Sequence, residues 1–154
     1  MYIGEYQRNK KHGEGIFYWF NIEGAKCEYY RGGWWYGLPS GKGIHERANG
    51  DVYRGEFRNG LKHGEGMEKF GNGDSYTGLY VNGLPDGYGE DFWEDGSHYK
   101  GDFKQGLRNG VGIWKKSSKP HCESYRGHYL LDKKSGYGLY VWNEGDYYKG
   151  HFFD

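Results

Sequence analysis

Seven histidines, two cysteines and 21 acidic residues are the side chains of this 154-residue chain that could hold a metal or move a proton. A zinc-type site needs Cys and His at short, fixed spacing so that several converge on one ion. His12, His45, His63, His98, His121, His128 and His151 show no such spacing, and Cys27 and Cys122 stand alone. General acid–base chemistry needs a local pair of titratable groups. Glu28, Asp51, Asp74, Glu123 and Asp146 instead recur singly, each two residues before a tyrosine, which makes a ladder. No Ser or Cys lies in a nucleophile motif. Gly-x-Gly occurs in every copy of a repeat, as in Gly64-Glu65-Gly66, but none leads into Gly-Lys-Ser/Thr or a strand–Gly-x-Gly-x-x-Gly–helix context. The chain is therefore expected to be no enzyme, with no cofactor and no metal.

The composition says what must position these residues. Thirty glycines, 17 Tyr, eight Phe and six Trp stand against only 17 Leu, Ile and Val together and two Ala. A helical bundle and a thick aliphatic core are excluded on these counts. Twenty-one basic residues balance 21 acidic ones, which removes the electrostatic case for nucleic acid. No apolar run nears the ~20 residues of a membrane span, and Met1-Tyr2-Ile3-Gly4-Glu5 has no signal-peptide core. Two unpaired cysteines suit a reducing compartment, so the expected location is cytoplasmic.

A repeat organises the whole chain. Tyr-x-Gly starts at Tyr2, Tyr30, Tyr53, Tyr76, Tyr99, Tyr125 and Tyr148, mostly 23 residues apart. Four residues after each Tyr stands Tyr6, Trp34, Phe57, Tyr80, Phe103, Tyr129 or Phe152. Period two puts Tyr, Gly and this second aromatic on one face of a strand. Turn signals such as Asn59-Gly60 and Asn82-Gly83 lead to a second strand at Gly-x-Gly. Asn49-Gly50, Asn72-Gly73, Asp95-Gly96 and Glu144-Gly145 close the copies as tight hairpin turns. The expected fold is all-β: a single-layer antiparallel meander of hairpins, thirteen strands in a ribbon roughly 60 Å long. The glycines are expected to be seats on which neighbouring rings lie flat. Two copies carry extra residues, within Ile16–Glu23 and Trp114–Pro120, expected as longer hairpin tips. Cys27 and Cys122 follow these insertions, roughly 38 Å apart on the strand spacing, which excludes a disulfide between them within one chain.

The motif Tyr53-Arg54-Gly55-Glu56-Phe57-Arg58-Asn59-Gly60-Leu61-Lys62-His63-Gly64-Glu65-Gly66 resembles the MORN repeat (membrane occupation and recognition nexus). The resemblance covers residues 1–154 as one array of six copies and a truncated seventh, Tyr148 to Asp154. Arrays of this family occur in radial-spoke and other axonemal proteins, basal-complex scaffolds, junctophilins, lipid kinases and a methyltransferase. Tyr2 to Tyr6 with Arg8 to Gly13 looks most like the radial-spoke type, which implies a cytoskeletal or ciliary setting. The motif His12 and His63 is Ser40, Asp86, Asn109 or Ser135 elsewhere, so it reads as a turn residue.

The two faces carry different expectations. The aromatic face is expected to dock a helix or strand of a protein partner, anchored by Tyr30, Trp34, Tyr53, Phe57, Tyr76, Tyr80, Tyr99 and Phe103. Trp35, Tyr36, Trp93, Trp114 and Trp142 extend that surface. The other face alternates a basic row (Arg31, Arg54, Lys100, Arg126, Lys149) with a row containing Glu5, Glu56 and Asp102, which predicts cross-strand ion pairs. A phosphoinositide-binding module is the alternative, through Arg8, Lys10 and Lys11, Lys115, Lys116 and Lys119, and Lys133 and Lys134. A further alternative is a regulatory array for an enzyme on another chain. Open edge strands predict self-association.

Overall fold

A computed structural model describes residues 1–143 and 145–153. Glu144 of the expected Glu144-Gly145 turn, and Asp154 at the end of the truncated copy, lie outside the described residues. The strands are β1 (Tyr2–Gln7), β2 (Lys10–Phe20), β3 (Lys26–Trp35), β4 (Leu38–Glu46), β5 (Val52–Arg58), β6 (Leu61–Lys69) and β7 (Ser75–Val81), then β8 (Leu84–Phe92), β9 (His98–Lys104), β10 (Leu107–Lys115), β11 (Ser124–Leu130), β12 (Lys133–Val141) and β13 (Tyr147–Phe152). They form one 13-stranded antiparallel meander in sequence order, not closed into a barrel. No described residue is helical. The chain divides into two compact units: Met1–Gly71 with Tyr80–Leu84, and Asn72–Leu79 with the segment from Pro85 on.

Strand alternation sorts the side chains as period two requires. In β5, Tyr53 and Phe57 are buried while Arg54, Glu56 and Arg58 are exposed. In β11, Tyr125, Gly127 and Tyr129 are buried and Arg126, His128 and Leu130 exposed. The registers align a row of glycines across each unit. In the first, Gly4, Gly15, Gly32, Gly43, Gly55 and Gly66 pair in succession. In the second, Gly89, Gly101, Gly112, Gly127, Gly138 and Gly150 do the same.

The turns are of two kinds, where the sequence reading expected one. Between the strands of a copy, both turn residues have positive φ, as in Asn59 (52°) and Gly60 (81°). This is the two-residue turn whose twist matches the strands. Leu131 (49°) and Asp132 (69°) adopt it without glycine. The closing turns are one residue longer and only their glycine is left-handed, as at Gly50 (89°). There the Gly50 amide donates to the Arg47 carbonyl at 3.0 Å and the Arg47 amide to the Asp51 carbonyl at 2.8 Å.

The insertions also differ from each other. The first lengthens its strands, so β2 has 11 residues and β3 has 10. Asn21 Oδ1 closes its tip by accepting from the amides of Glu23 (3.0 Å) and Ala25 (2.9 Å). The second makes a loop after β10, in which the Cys122 thiol donates to the Ser117 carbonyl at 2.9 Å. Both cysteines are free thiols.

Candidate functional site

Each copy builds its part of the aromatic face in the same way. The Tyr53 ring lies across Gly55 of its own strand and Gly66 of the next: a Cβ at either would stand 2.4–2.5 Å from the Tyr53 hydroxyl oxygen. Its hydroxyl donates to the Glu56 carbonyl three residues on, at 2.9 Å. The same bond recurs from Tyr30 (2.9 Å), Tyr76 (3.0 Å), Tyr99 (3.0 Å) and Tyr125 (2.9 Å). The seats expected for the glycines are therefore there, under the second glycine of each Gly-x-Gly. The first has another duty: Gly64 sits at φ 63°, where the register of β5 against β6 slips by a bulge.

The rings then meet edge to face, the arrangement their quadrupoles favour. Tyr53 meets Phe57 at 5.0 Å and 87°, and Tyr80 at 5.2 Å and 85°. Tyr99 meets Phe103 at 5.2 Å and Tyr129 at 5.1 Å. This consumes the expected anchors. Tyr30, Trp34, Tyr53, Phe57, Tyr76, Tyr80, Tyr99 and Phe103 all lie between 0% and 6% exposed. In this state they are the core and offer a partner almost no surface. Burial pushes the hydroxyls of Tyr30, Tyr53, Tyr76 and Tyr99 above the usual phenol range.

This face also carries a set of cations that sequence reasoning missed as a group. The ninth residue after the repeat Tyr is Lys11, Lys62, Arg108 or Lys134 in four copies, and Pro39 and Pro85 in the other two full copies. Lys11 Nζ stands 3.9 Å from the Phe17 ring centre and 4.3 Å from that of Trp34. Arg108 lies over Tyr129 at 5.2 Å, and Lys134 over Tyr140 at 4.2 Å. Burial lowers the ammonium pKa of Lys11 and of Lys134. The constant offset from Tyr was the signal available in the sequence.

In the first unit Lys62 serves the core. It bonds Glu68, which is only 4% exposed, and Glu68 also accepts from the Tyr80 hydroxyl at 3.1 Å and faces Arg47 at 3.6 Å. In the second unit the cations face a cavity. Arg108, Trp114, Tyr129, Asp132, Lys133 and Lys134 line about 380 Å³. Arg108 Nε donates to Asp132 Oδ1 at 3.1 Å and its Nη2 to the Asp132 carbonyl at 3.0 Å. A neighbouring cavity of about 430 Å³ adds Trp93, Asp74, Glu94 and Asp95. Asp91 opposite Tyr99 has its carboxyl pushed up to about 6 by burial, against the pull of Arg108.

The other basic residues named from sequence do not gather with these. Lys10 lies 6.0 Å from the Tyr36 ring and Arg8 is in a turn. Lys116 is held by Glu123 at 2.9 Å. Lys115 is exposed at the end of β10 and Lys119 lies in the loop beyond. Trp35 and Trp142 are exposed by 58% and 45%.

Several carboxylates serve the backbone. Asp51 Oδ1 accepts from the Gly71 amide at 3.0 Å, and Asp74 Oδ1 from the Glu94 amide at 2.9 Å, so these two rungs of the carboxylate ladder each tie one closing turn to the next. Glu5 accepts from Glu14 and Asp102 from Val111 across the bulges, at 3.2 Å and 2.9 Å. The ion-pair ladder expected on the outer face is thereby overturned. The bulge hands the acids to backbone amides, and the basic row instead faces aliphatics: Arg31 and Arg54 flank Ile44, while Arg126 lies between Ile113 and Leu139. Lys100 with Glu90 is an ion pair that does form there. Among the described residues no group of three or more His, Cys, Asp or Glu converges as for a metal.

A tyrosine seated on two glycines, repeated hairpin by hairpin in an open sheet, defines a tandem-repeat β module. The family model for the MORN repeat matches residues 2–21, 30–52, 53–75, 76–98, 99–118 and 125–147, and the chain belongs to that family. Members are generally binding scaffolds and typically non-catalytic. The unmatched stretches fall on the two insertions and on the copy from Tyr148, whose hydroxyl nonetheless makes the repeat bond, to His151 at 3.0 Å. No curated protein matches the chain.

Proposed function

We propose that the chain is a non-catalytic scaffold that docks a segment of a protein partner on its aromatic face, within a cytoskeletal or axonemal assembly. The observation that carries this is the pairing of Arg108 and Lys134 with Trp114 and Tyr129 around one cavity of the second unit. Cations beside rings suit a partner side chain that is acidic next to one that is apolar. Lys134 makes ring contacts there and no ion pair with a described residue. The axonemal setting rests on the likeness of the first copy to the radial-spoke type, and the cytoplasmic location on the two unpaired cysteines.

The test is affinity capture from extract of ciliated cells by the wild type and by Trp114→Ala/Lys134→Glu, followed by binding of the purified partner. Circular dichroism checks the variant's fold. A partner bound by the wild type and lost by the folded variant supports the reading. Equal capture by both removes it. The same two cations favour phosphoinositide as the second reading. Vesicle binding that collapses with salt, without a protein partner, would favour that instead.

A further inference from the structure

The face opposite the rings carries two neighbouring rows in the second unit. One runs Lys100, Ile113, Arg126, Leu139, Lys149, each directly across from the next. Lys100 meets Glu90, but no described carboxylate pairs with Arg126 or Lys149. The other row carries Tyr88, Val111 and Tyr137, exposed by 51%, 51% and 50%, with Asp102, His128 and His151 opposite them. The matching positions of the first unit are Glu14, Lys42 and Glu65, so the apolar row belongs to the second unit.

We propose that this face of the second unit binds an amphipathic helix of a partner that carries acidic residues at heptad spacing beside an apolar stripe. The charge argument is direct: Arg126 and Lys149 pair with no described carboxylate and stand next to exposed rings. Spacing selects the helix. An element lying along the row meets a side chain every ~4.8 Å. A helix turn of ~5.4 Å follows that interval, so acids seven residues apart meet alternate strands. An extended peptide repeats every ~6.7 Å on one side and falls out of step within three strands. This surface lies on the other side of the sheet from the cavity of Arg108 and Lys134, so the two readings fail separately.

The test uses a fluorescent synthetic helical peptide of about 21 residues, three heptads, with Glu heading each heptad and Leu three and four positions on. Anisotropy is read for the wild type, Arg126→Glu/Lys149→Glu, Tyr88→Ser/Tyr137→Ser and, as the control, Arg31→Glu/Arg54→Glu. These are exposed positions, and far-ultraviolet circular dichroism verifies each fold. The expected result is saturable binding, weakened at least about tenfold by either second-unit variant and less than about twofold by the control. Absence of wild-type binding, or equal binding by the charge-reversed variant, overturns the proposal. So does capture of phosphatidylserine vesicles but not peptide, which assigns the face to lipid. A concentration-dependent dimer abolished by Tyr88→Ser/Tyr137→Ser, again without peptide binding, assigns it to a second copy and also overturns it.

Discussion

Tyr53 covers Gly66 so closely that a methyl group at Gly66 would stand 2.4 Å from the hydroxyl oxygen and 2.5 Å from Cε2. Gly66→Ala must displace the ring or the strand, and the loss expected is about 3 kcal/mol, typical of core overpacking. Gly96→Ala has nothing within 4 Å of the added carbon and meets only the strain of φ 87°, about 1 kcal/mol. Urea unfolding of the two variants compares them directly, and equal losses would refute the seat.

Lys62 and Glu68 form a buried pair, and removing one partner strands the other. Lys62→Met leaves the Glu68 carboxylate in the core with Arg47 at 3.6 Å, and is expected to cost about 3 kcal/mol. Lys62→Met with Glu68→Leu is expected to recover part of that loss, since Glu68→Leu also takes the acceptor from the Tyr80 hydroxyl. A double-mutant cycle from denaturant midpoints checks it, and additive losses would contradict it.

The Tyr129 hydroxyl is buried and has no hydrogen-bond partner among the described residues. Phe already serves this repeat position at Phe57 and Phe103. Tyr129→Phe is therefore expected to be neutral or to stabilise by about 1 kcal/mol, whereas Tyr80→Phe, which loses the bond to Glu68, should destabilise by about 1 kcal/mol. Thermal melts of both decide whether the two differ in sign as expected.

Asp91 gives the second unit a pH dependence. Burial raises its carboxyl to about 6, while an unfolded Asp titrates near 3.9. Between those values the folded state holds more protons, so stability falls as pH rises through that window, and the loss is complete above it. Asp91→Asn removes the effect and should stabilise the protein at neutral pH by about 1–3 kcal/mol. Melts at about pH 4.5 and about pH 7.5 test this, with the variant's advantage confined to the higher pH.

The strand order and the inward face were legible because Tyr, Gly and the second aromatic repeat at period two in every copy. What lay hidden depends on register. The bulge at Gly64 and its equivalents turns the carboxylates of Glu5 and Asp102 toward backbone amides. A flat pairing scheme gives those acids to the basic row instead. Lys62 and Arg108 stand in one sequence column, yet one closes a core pair and the other borders a cavity. Their different neighbours, Glu68 and Trp114, sit at the same offset, six residues on in the same strand. Such contacts depend on the residue six positions on, which lies beyond the Gly-x-Gly motif and differs from copy to copy, so the motif itself does not display them.

The hydroxyl bond of each repeat Tyr, three residues on, has a consequence for how such chains grow. Tyr53, its two glycine seats and its acceptor carbonyl all fall within Tyr53 to Gly66. A duplicated 23-residue segment thus arrives with its ring already seated and its hydroxyl already bonded. A segment added or deleted as a whole copy therefore leaves no repeat tyrosine without its seat or its acceptor, and only the ring contacts between successive copies have to be remade.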